Sequence, residues 1–236
     1  MSTASTVNTL LAFLKVTSRG EAKVDASTVA EQANISREVV DGILGRYGLN
    51  LEDVTPSDRI RVMLEVVKLG YDAERAARYL DWRELEEYVS EIASRYGLKT
   101  VKNLRYKVDK RRYEVDVVAA GESNAFIFDC KRWKKRLSGK TLLEIADKQA
   151  ERTYALGRFL NRIAANEETT VRLTPAVLTL HEPDNRIVKG IPVIPIYTLI
   201  SFLEEGAYSD ELLSIKVRID KNWFGKLLGK QLKLIS

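Results

Sequence analysis

The chain has 236 residues, with 38 Lys and Arg against 33 Asp and Glu, one His, one Cys and 45% hydrophobic residues. That length and apolar content suit two compact domains, each with its own core, and exclude the disordered, collagen-like and disulfide-rich classes. A single cysteine excludes an intramolecular disulfide and a multi-cysteine zinc site; with no membrane-length apolar run and no signal-peptide pattern, the expected compartment is the reducing cytoplasm.

The first eighty or so residues read as wholly helical. A helix over about Ser5–Val16 precedes DASTVAEQANISREVVDGILGRYG, which has helix-turn-helix character. Val29, Ala30, Ala33, Ile35, Val39, Val40, Ile43 and Leu44 would form its core, and Ser36 is the expected N-cap of its second helix. Thr55, Pro56 and Asp58 mark the next helix start and Gly70 its stop. Asp72 begins a shorter helix, and Asp81 with Glu84 caps the one after it. Residues 1–81 hold ten basic and twelve acidic side chains, and the second helix of the motif offers Arg37 and Arg46 beside Glu38 and Asp41. A DNA-reading helix usually presents a basic face. Dimerisation, or packing on the rest of the chain, is therefore as good a reading of this module as sequence-specific DNA binding.

From Trp82 the pattern changes. WRELEEYVSEIASRYG reads as a helix, and RRYEVDVVAA (111–120) and AFIFDCK (125–131) read as strands joined by a tight turn at Gly121, Ser123 and Asn124. Alternation points Asp129 and Lys131 one way and Phe128 and Cys130 the other, and a hairpin brings Asp116 alongside. Two carboxylates and an ammonium on a covered sheet cost several kcal/mol, roughly, unless a partner or metal offsets them. A cross-strand salt bridge on a solvated face is the plain alternative, but the AFIF flank argues for a strand buried on both faces. The two carboxylates with a backbone carbonyl, such as that of Cys130, suit Mg²⁺ or Mn²⁺. Lys131 is placed to orient a water or steady a pentavalent phosphate.

These motifs, in this order, resemble the PD-(D/E)xK nuclease superfamily, nearest to archaeal Mrr-like restriction endonucleases and Holliday-junction resolvases. The resemblance runs from about Trp82 to about Glu205: a helix with a glutamate, EVDVVA, FDCK thirteen residues on from Asp116, then a helix with KQAERTY. It implies a restriction-endonuclease-like mixed sheet flanked by helices for residues 82–236, and the helical pattern ahead of it reads as an all-α, winged-helix or helix-turn-helix-like domain over residues 1–81. The resemblance further implies catalytic roles for Asp116, Asp129, Lys131 and Glu86, with the three acids handling the metal and Glu87 competing with Glu86. Helical spacing favours Glu86, which shares a face with Val89 and Ala93. Val115 replaces the family's leading proline, and the second acid is Asp where many relatives have Glu; neither change removes a needed group.

The following helix, Lys140 to about Arg162, carries the stripe Leu142, Ile145, Ala146, Gln149, Thr153, Leu156, Leu160. Gln149 in that stripe either reaches the metal site or substrate, as the resemblance implies, or is a core amide bonded to backbone or water. Between Lys102 and Lys140, twelve Lys or Arg stand against five Asp or Glu. Lys107, Lys110, Arg111 and Arg112 form one cluster, and Arg132, Lys134, Lys135 and Lys140 another. Both would draw a phosphate backbone. Trp133 would stack on a base or cover the edge of the core. Beyond, VRLTPAVLTL and IPVIPIYTLISFLEE supply two strands and a helix, and the lone His181 reads as incidental. The basic, weakly amphipathic ending NWFGKLLGKQLKLIS is expected to dock on its own domain, with DNA or an anionic surface as alternatives.

The reading is a divalent-metal-dependent DNA endonuclease, expected to be a homodimer acting in repair, recombination or restriction. A non-catalytic DNA-binding regulator is the rival class, and an RNA-processing nuclease a third reading. Abundant Lys, Arg and Glu, with few Gln, lean towards a thermophile.

Overall fold

The computed structural model describes residues 2–18, 24–72, 75–76, 78–131, 139–163, 167–204, 209 and 211–235, the last six without their side chains. The chain divides into two compact units, Met1–Tyr88 and Val89–Ser236. Among the described residues no helix is long and apolar enough to cross a membrane.

The first unit is built of helices: α1 (Thr3–Val16), α2 (Ala26–Ala33), α3 (Arg37–Arg46) and α4 (Pro56–Lys68), followed by the first half of α5 (Trp82–Arg95). Most of these starts carry a side-chain cap. Asp25 accepts the Thr28 N–H at 2.8 Å, and Thr55 and Asp58 bond each other's backbone N–H at 3.1 Å behind Pro56. Asp81 and Glu84 form the same reciprocal arrangement at the start of α5. Ser36 stands at the N-cap position of α3, but its side chain makes no capping bond, contrary to expectation. Asn34, in the left-handed conformation at φ 54°, turns the chain from α2 to α3. Val29, Ala30, Ala33, Val40, Ile43 and Leu44 are buried, whereas Ile35 and Val39 are only half-buried.

One buried cation organises this unit. Arg59, 5% exposed, bonds the Leu14 carbonyl at 2.8 Å, the Thr17 hydroxyl, the Tyr79 carbonyl and the Glu84 carboxylate. Burial pushes the Glu84 carboxyl upward, and Arg59 and the Asp81 N–H oppose that push.

The second unit is a mixed sheet of β1 (Lys99–Val108), β2 (Arg111–Ala120), β3 (Asn124–Lys131), β4 (Glu168–Thr179), β5 (Ile187–Val188), β6 (Ile191–Pro195) and β7 (Ile215–Asp220). The order β1-β2-β3-β4-β6-β5 is antiparallel up to β3, parallel from β3 through β4 to β6, and closed by an antiparallel β5. β7 pairs antiparallel with the first half of β4, and β6 pairs with its last three residues. A two-residue turn, Asp109 and Lys110 at φ 48° and 68°, joins β1 to β2. The parallel β3–β4 pair needs a long crossover, and α6 (Gly139–Asn161) supplies it.

α6 and α8 (Trp223–Ile235) cover one face of the sheet. Leu156 and Leu160 of α6, with Trp223, Phe224 and Leu227 of α8, pack on inward residues of β1 through β4 and on β7. The basic ending therefore docks on its own domain, as expected. On the opposite face Phe126 meets Phe202 of α7 (Leu199–Glu204), with ring centroids 5.6 Å apart. β3 is buried on both faces from Ala125 to Cys130. The restriction-endonuclease-like mixed sheet flanked by helices is thus the architecture found. Gly157 lets α6 approach β7, because a Cβ there would lie 2.8 Å from a methyl of Val217.

Candidate active site

β2 and β3 meet in antiparallel register from Ala120 opposite Ala125 to Val117 opposite Phe128, and Asp116 and Asp129 are the residues next to that last pair on the two strands. A local irregularity helps deliver Asp116. Leu104 and Val115, an opposed pair, join the core cluster under α6, and so do the opposed Val101 and Val118. Their separation is three residues on each strand, where simple alternation requires an even number. Asp116 lies in that step on β2. Opposite it on β1 is Asn103, at φ 52°. Such parity changes re-aim a side chain at the cost of a little ladder regularity.

Asp116 reaches across to β3, where its Oδ2 accepts the Cys130 N–H at 2.7 Å. Burial, and next the nearby Asp129 charge, hold its carboxyl above the usual carboxylate range, against the pull of the Cys130 N–H, Lys131 and Arg152. Asp129 is 2% exposed. Its Oδ1 accepts two cations, Lys131 Nζ at 2.8 Å and Arg152 Nη1 at 2.6 Å. Its Oδ2 is buried and, among the described residues, has no hydrogen-bond partner. Two carboxylates and two cations thus share a half-buried pocket between β2, β3 and α6.

Gln149 is fully buried on α6. Its Nε2 donates to the Ile127 carbonyl of β3, while its Oε1 has no hydrogen-bond partner among the described residues. The stripe Leu142, Ile145, Ala146, Gln149, Thr153, Leu156, Leu160 is buried throughout. Gln149 therefore serves the core through its amide nitrogen and keeps an acceptor over.

The donor set fits a small divalent cation. Asp129 Oδ2 is a buried, unengaged carboxylate oxygen, Asp116 is adjacent, and the backbone carbonyl of Cys130 follows directly on Asp129. Mg²⁺ and Mn²⁺ take one or two carboxylates and complete their shells with water and phosphate oxygens. Among the described residues no three Asp, Glu, His or Cys side chains are grouped to hold an ion, so the acidic set here is a pair. The Cys130 thiol is buried, and by strand alternation on the face away from Asp129.

Glu86 lies on α5 in the first unit and is 4% exposed, whereas Glu87 is half-buried, in line with the face that helical spacing selects. His181 is buried past the end of β4, where its carbonyl accepts the Thr179 hydroxyl at 2.7 Å.

The expected nucleic-acid contacts fall into two groups. Lys107, Lys110, Arg111 and Arg112 are exposed on the β1–β2 hairpin; Arg111 bonds Glu151 of α6 and its guanidinium lies 5.1 Å from the Tyr113 ring centre. Lys140 is exposed in the first turn of α6, 3.9 Å from Glu144. Arg132, Trp133, Lys134 and Lys135 lie outside the described residues.

Arg152 is the site residue that sequence reasoning missed. Its signal was present: it stands three residues after Gln149, hence on the same side of α6. The signal is weak because an arginine in a charged helix usually faces solvent.

Residues 77–162 match the family model Mrr_cat, described as restriction endonuclease. The match contains Asp116, Asp129, Lys131, Gln149 and Arg152, so this region is similar to restriction endonucleases. No curated protein matches the chain. A solved structure, titled as a protein of unknown function, AF1548, is similar at 16% identity and a TM-score of 0.32, over 42% of this chain and 47% of that one. The chain thus spans about half the length of that relative.

Proposed function

We propose that the protein is a divalent-metal-dependent DNA endonuclease. The observation that carries the reading is that Asp116 bonds the backbone N–H beside Asp129, with Lys131 on Asp129 and one Asp129 oxygen left unengaged. In a restriction-endonuclease-type domain, a nucleic-acid phosphodiester is the bond such a group serves.

Asp116, Asp129 and the Cys130 carbonyl would hold Mg²⁺ or Mn²⁺. When bound, the ion supplies Lewis-acid stabilisation of the charge that builds on the phosphate and acidifies water. The chain's own residues do the rest. Lys131 Nζ, at the mouth of the pocket, orients the attacking water in line with the scissile bond and steadies the pentavalent phosphate. The exposed cations of the β1–β2 hairpin and Lys140 draw the backbone in, with a strong salt dependence. Glu86 enters as the helix acid on the resemblance alone, and its own variant tests it. Cutting both strands together asks for two sites, which a homodimer would supply. Work in repair, recombination or restriction would follow from the DNA structure preferred.

The test is a cleavage assay with Mg²⁺ or Mn²⁺ on plasmid, single-stranded, flap and four-way-junction DNA and on single-stranded RNA, with Lys131→Ala and Asp129→Ala beside wild type. Cutting by wild type alone is expected, and the preferred substrate names the role. DNA that is bound but never cut would favour the non-catalytic regulator, while cutting of RNA alone would favour the processing enzyme.

A further inference from the structure

The pocket contains one more cation than the proposed chemistry uses. Lys131 and Arg152 both bond Oδ1 of Asp129, at 2.8 and 2.6 Å. Lys131 comes from the same strand, two residues on, whereas Arg152 comes from the crossover helix. Arg152 is held from behind: its own carbonyl accepts the Tyr106 hydroxyl at 2.6 Å, and Gln149, one turn earlier, ties the helix to the Ile127 carbonyl. The helix is therefore anchored to β1 through Tyr106 and to β3 through Gln149, with the Arg152 guanidinium on Asp129 of β3. Tyr106 is buried, and that burial raises its hydroxyl's pKa strongly, so it stays a neutral donor.

From this we infer that Arg152 is a positioning residue for the proposed reaction, and the inference rests on the nuclease reading of the site. Arg152 pins Oδ1 of Asp129, which fixes the carboxylate plane and leaves Oδ2 as the oxygen that faces a cation. Because a planar guanidinium holds a carboxylate without needing the lysine, Lys131 is free to leave Oδ1 for water and phosphate. A ligating carboxylate that is itself hydrogen-bonded keeps its orientation, and loss of such a partner costs about 10- to 100-fold in metal affinity.

Isothermal titration of Mn²⁺ into the full chain tests this, with wild type beside Arg152→Ala, Arg152→Lys and Asp129→Ala, each first checked for its thermal transition. Arg152→Ala is expected to bind Mn²⁺ about 10-fold more weakly or worse, with Arg152→Lys recovering part of the loss. DNA affinity without metal should hold, and in cleavage kcat should fall while KM for DNA stays. Arg152→Lys keeps the test available if the alanine variant does not fold. Unchanged Mn²⁺ affinity in Arg152→Ala, with binding lost in Asp129→Ala, would overturn the positioning role alone. Weaker DNA binding with intact Mn²⁺ affinity would make Arg152 a phosphate contact instead, and tighter Mn²⁺ binding would make it a competing cation. Failure of the wild type to bind Mn²⁺ would overturn the nuclease reading and this one together.

Discussion

Arg59 in the first unit and Asp129 in the second are both charged side chains buried almost completely, and the two are served very differently. All three guanidinium nitrogens of Arg59 are engaged, and its partner Glu84 uses both carboxylate oxygens, one on Arg59 and one on the Asp81 N–H. Asp129 puts two cations on one oxygen and leaves the other with no hydrogen bond among the described residues. A buried charge with every valence used holds elements together. A buried charge with one valence unused stores a cost that a ligand can relieve. That contrast separates a structural ion pair from a site with the same residue types.

The contrast can be broken in order of expected effect. Arg59→Ala strands Glu84 without its cation and should cost about 3–5 kcal/mol in urea unfolding, whereas a matched apolar swap of both partners should cost far less. A loss under about 1 kcal/mol would mean the pair is wetter than its burial suggests. Lys131→Ala should leave the thermal transition nearly in place, since Arg152 still neutralises Asp129, yet lower kcat for DNA cleavage by about 100- to 1,000-fold. A matching loss of fold and rate would place Lys131 among the structural cations.

The third effect is smaller and depends on pH. The folded Asp116 carboxyl titrates above its unfolded value, so its stabilising contribution is complete below the unfolded pKa and is lost as pH rises through the folded one. Asp116→Asn removes the buried anion. The metal-free variant should melt higher than wild type at neutral pH, with the gain shrinking as the solution is acidified and wild type protonates. Calorimetry across that range checks the sign, and a gain that grows in acid would contradict it. The smallest effect lies at the surface. Thr55→Ala removes a reciprocal cap and should cost about 1 kcal/mol, while Ser36→Ala, which removes no capping bond, should cost almost nothing.

Much of this was legible in the sequence, for reasons that differ by element. Asp129 and Lys131 are legible because strand alternation and apolar flanks predict both direction and burial, and Asp116 because a tight turn brings its strand alongside. The α6 stripe was legible because helical spacing needs no tertiary knowledge. Arg152 and Arg59 were not, because a single cation in an amphipathic helix looks the same whether its tip meets water or a buried carboxylate. The parity change at Asn103 and Asp116 is invisible in residue types, since it lies in backbone angles. In β7, Ile215, Val217 and Ile219 alternate with Lys216 and Arg218, but nothing local says which strand such a segment joins.

That last strand has a consequence for solubility. β4 spends its first half on β7 and its end on β6, along one side, while β3 takes the other. A chain cut short before Ile215 would leave the N–H and C=O groups of Glu168–Leu173 as an open edge, beside the apolar surface that Val217 and Trp223 now cover. Such an edge recruits strands from other copies, so light scattering of the shortened chain should report self-association. β7, which precedes the basic ending, is what closes this stretch of β4 to a strand from another copy.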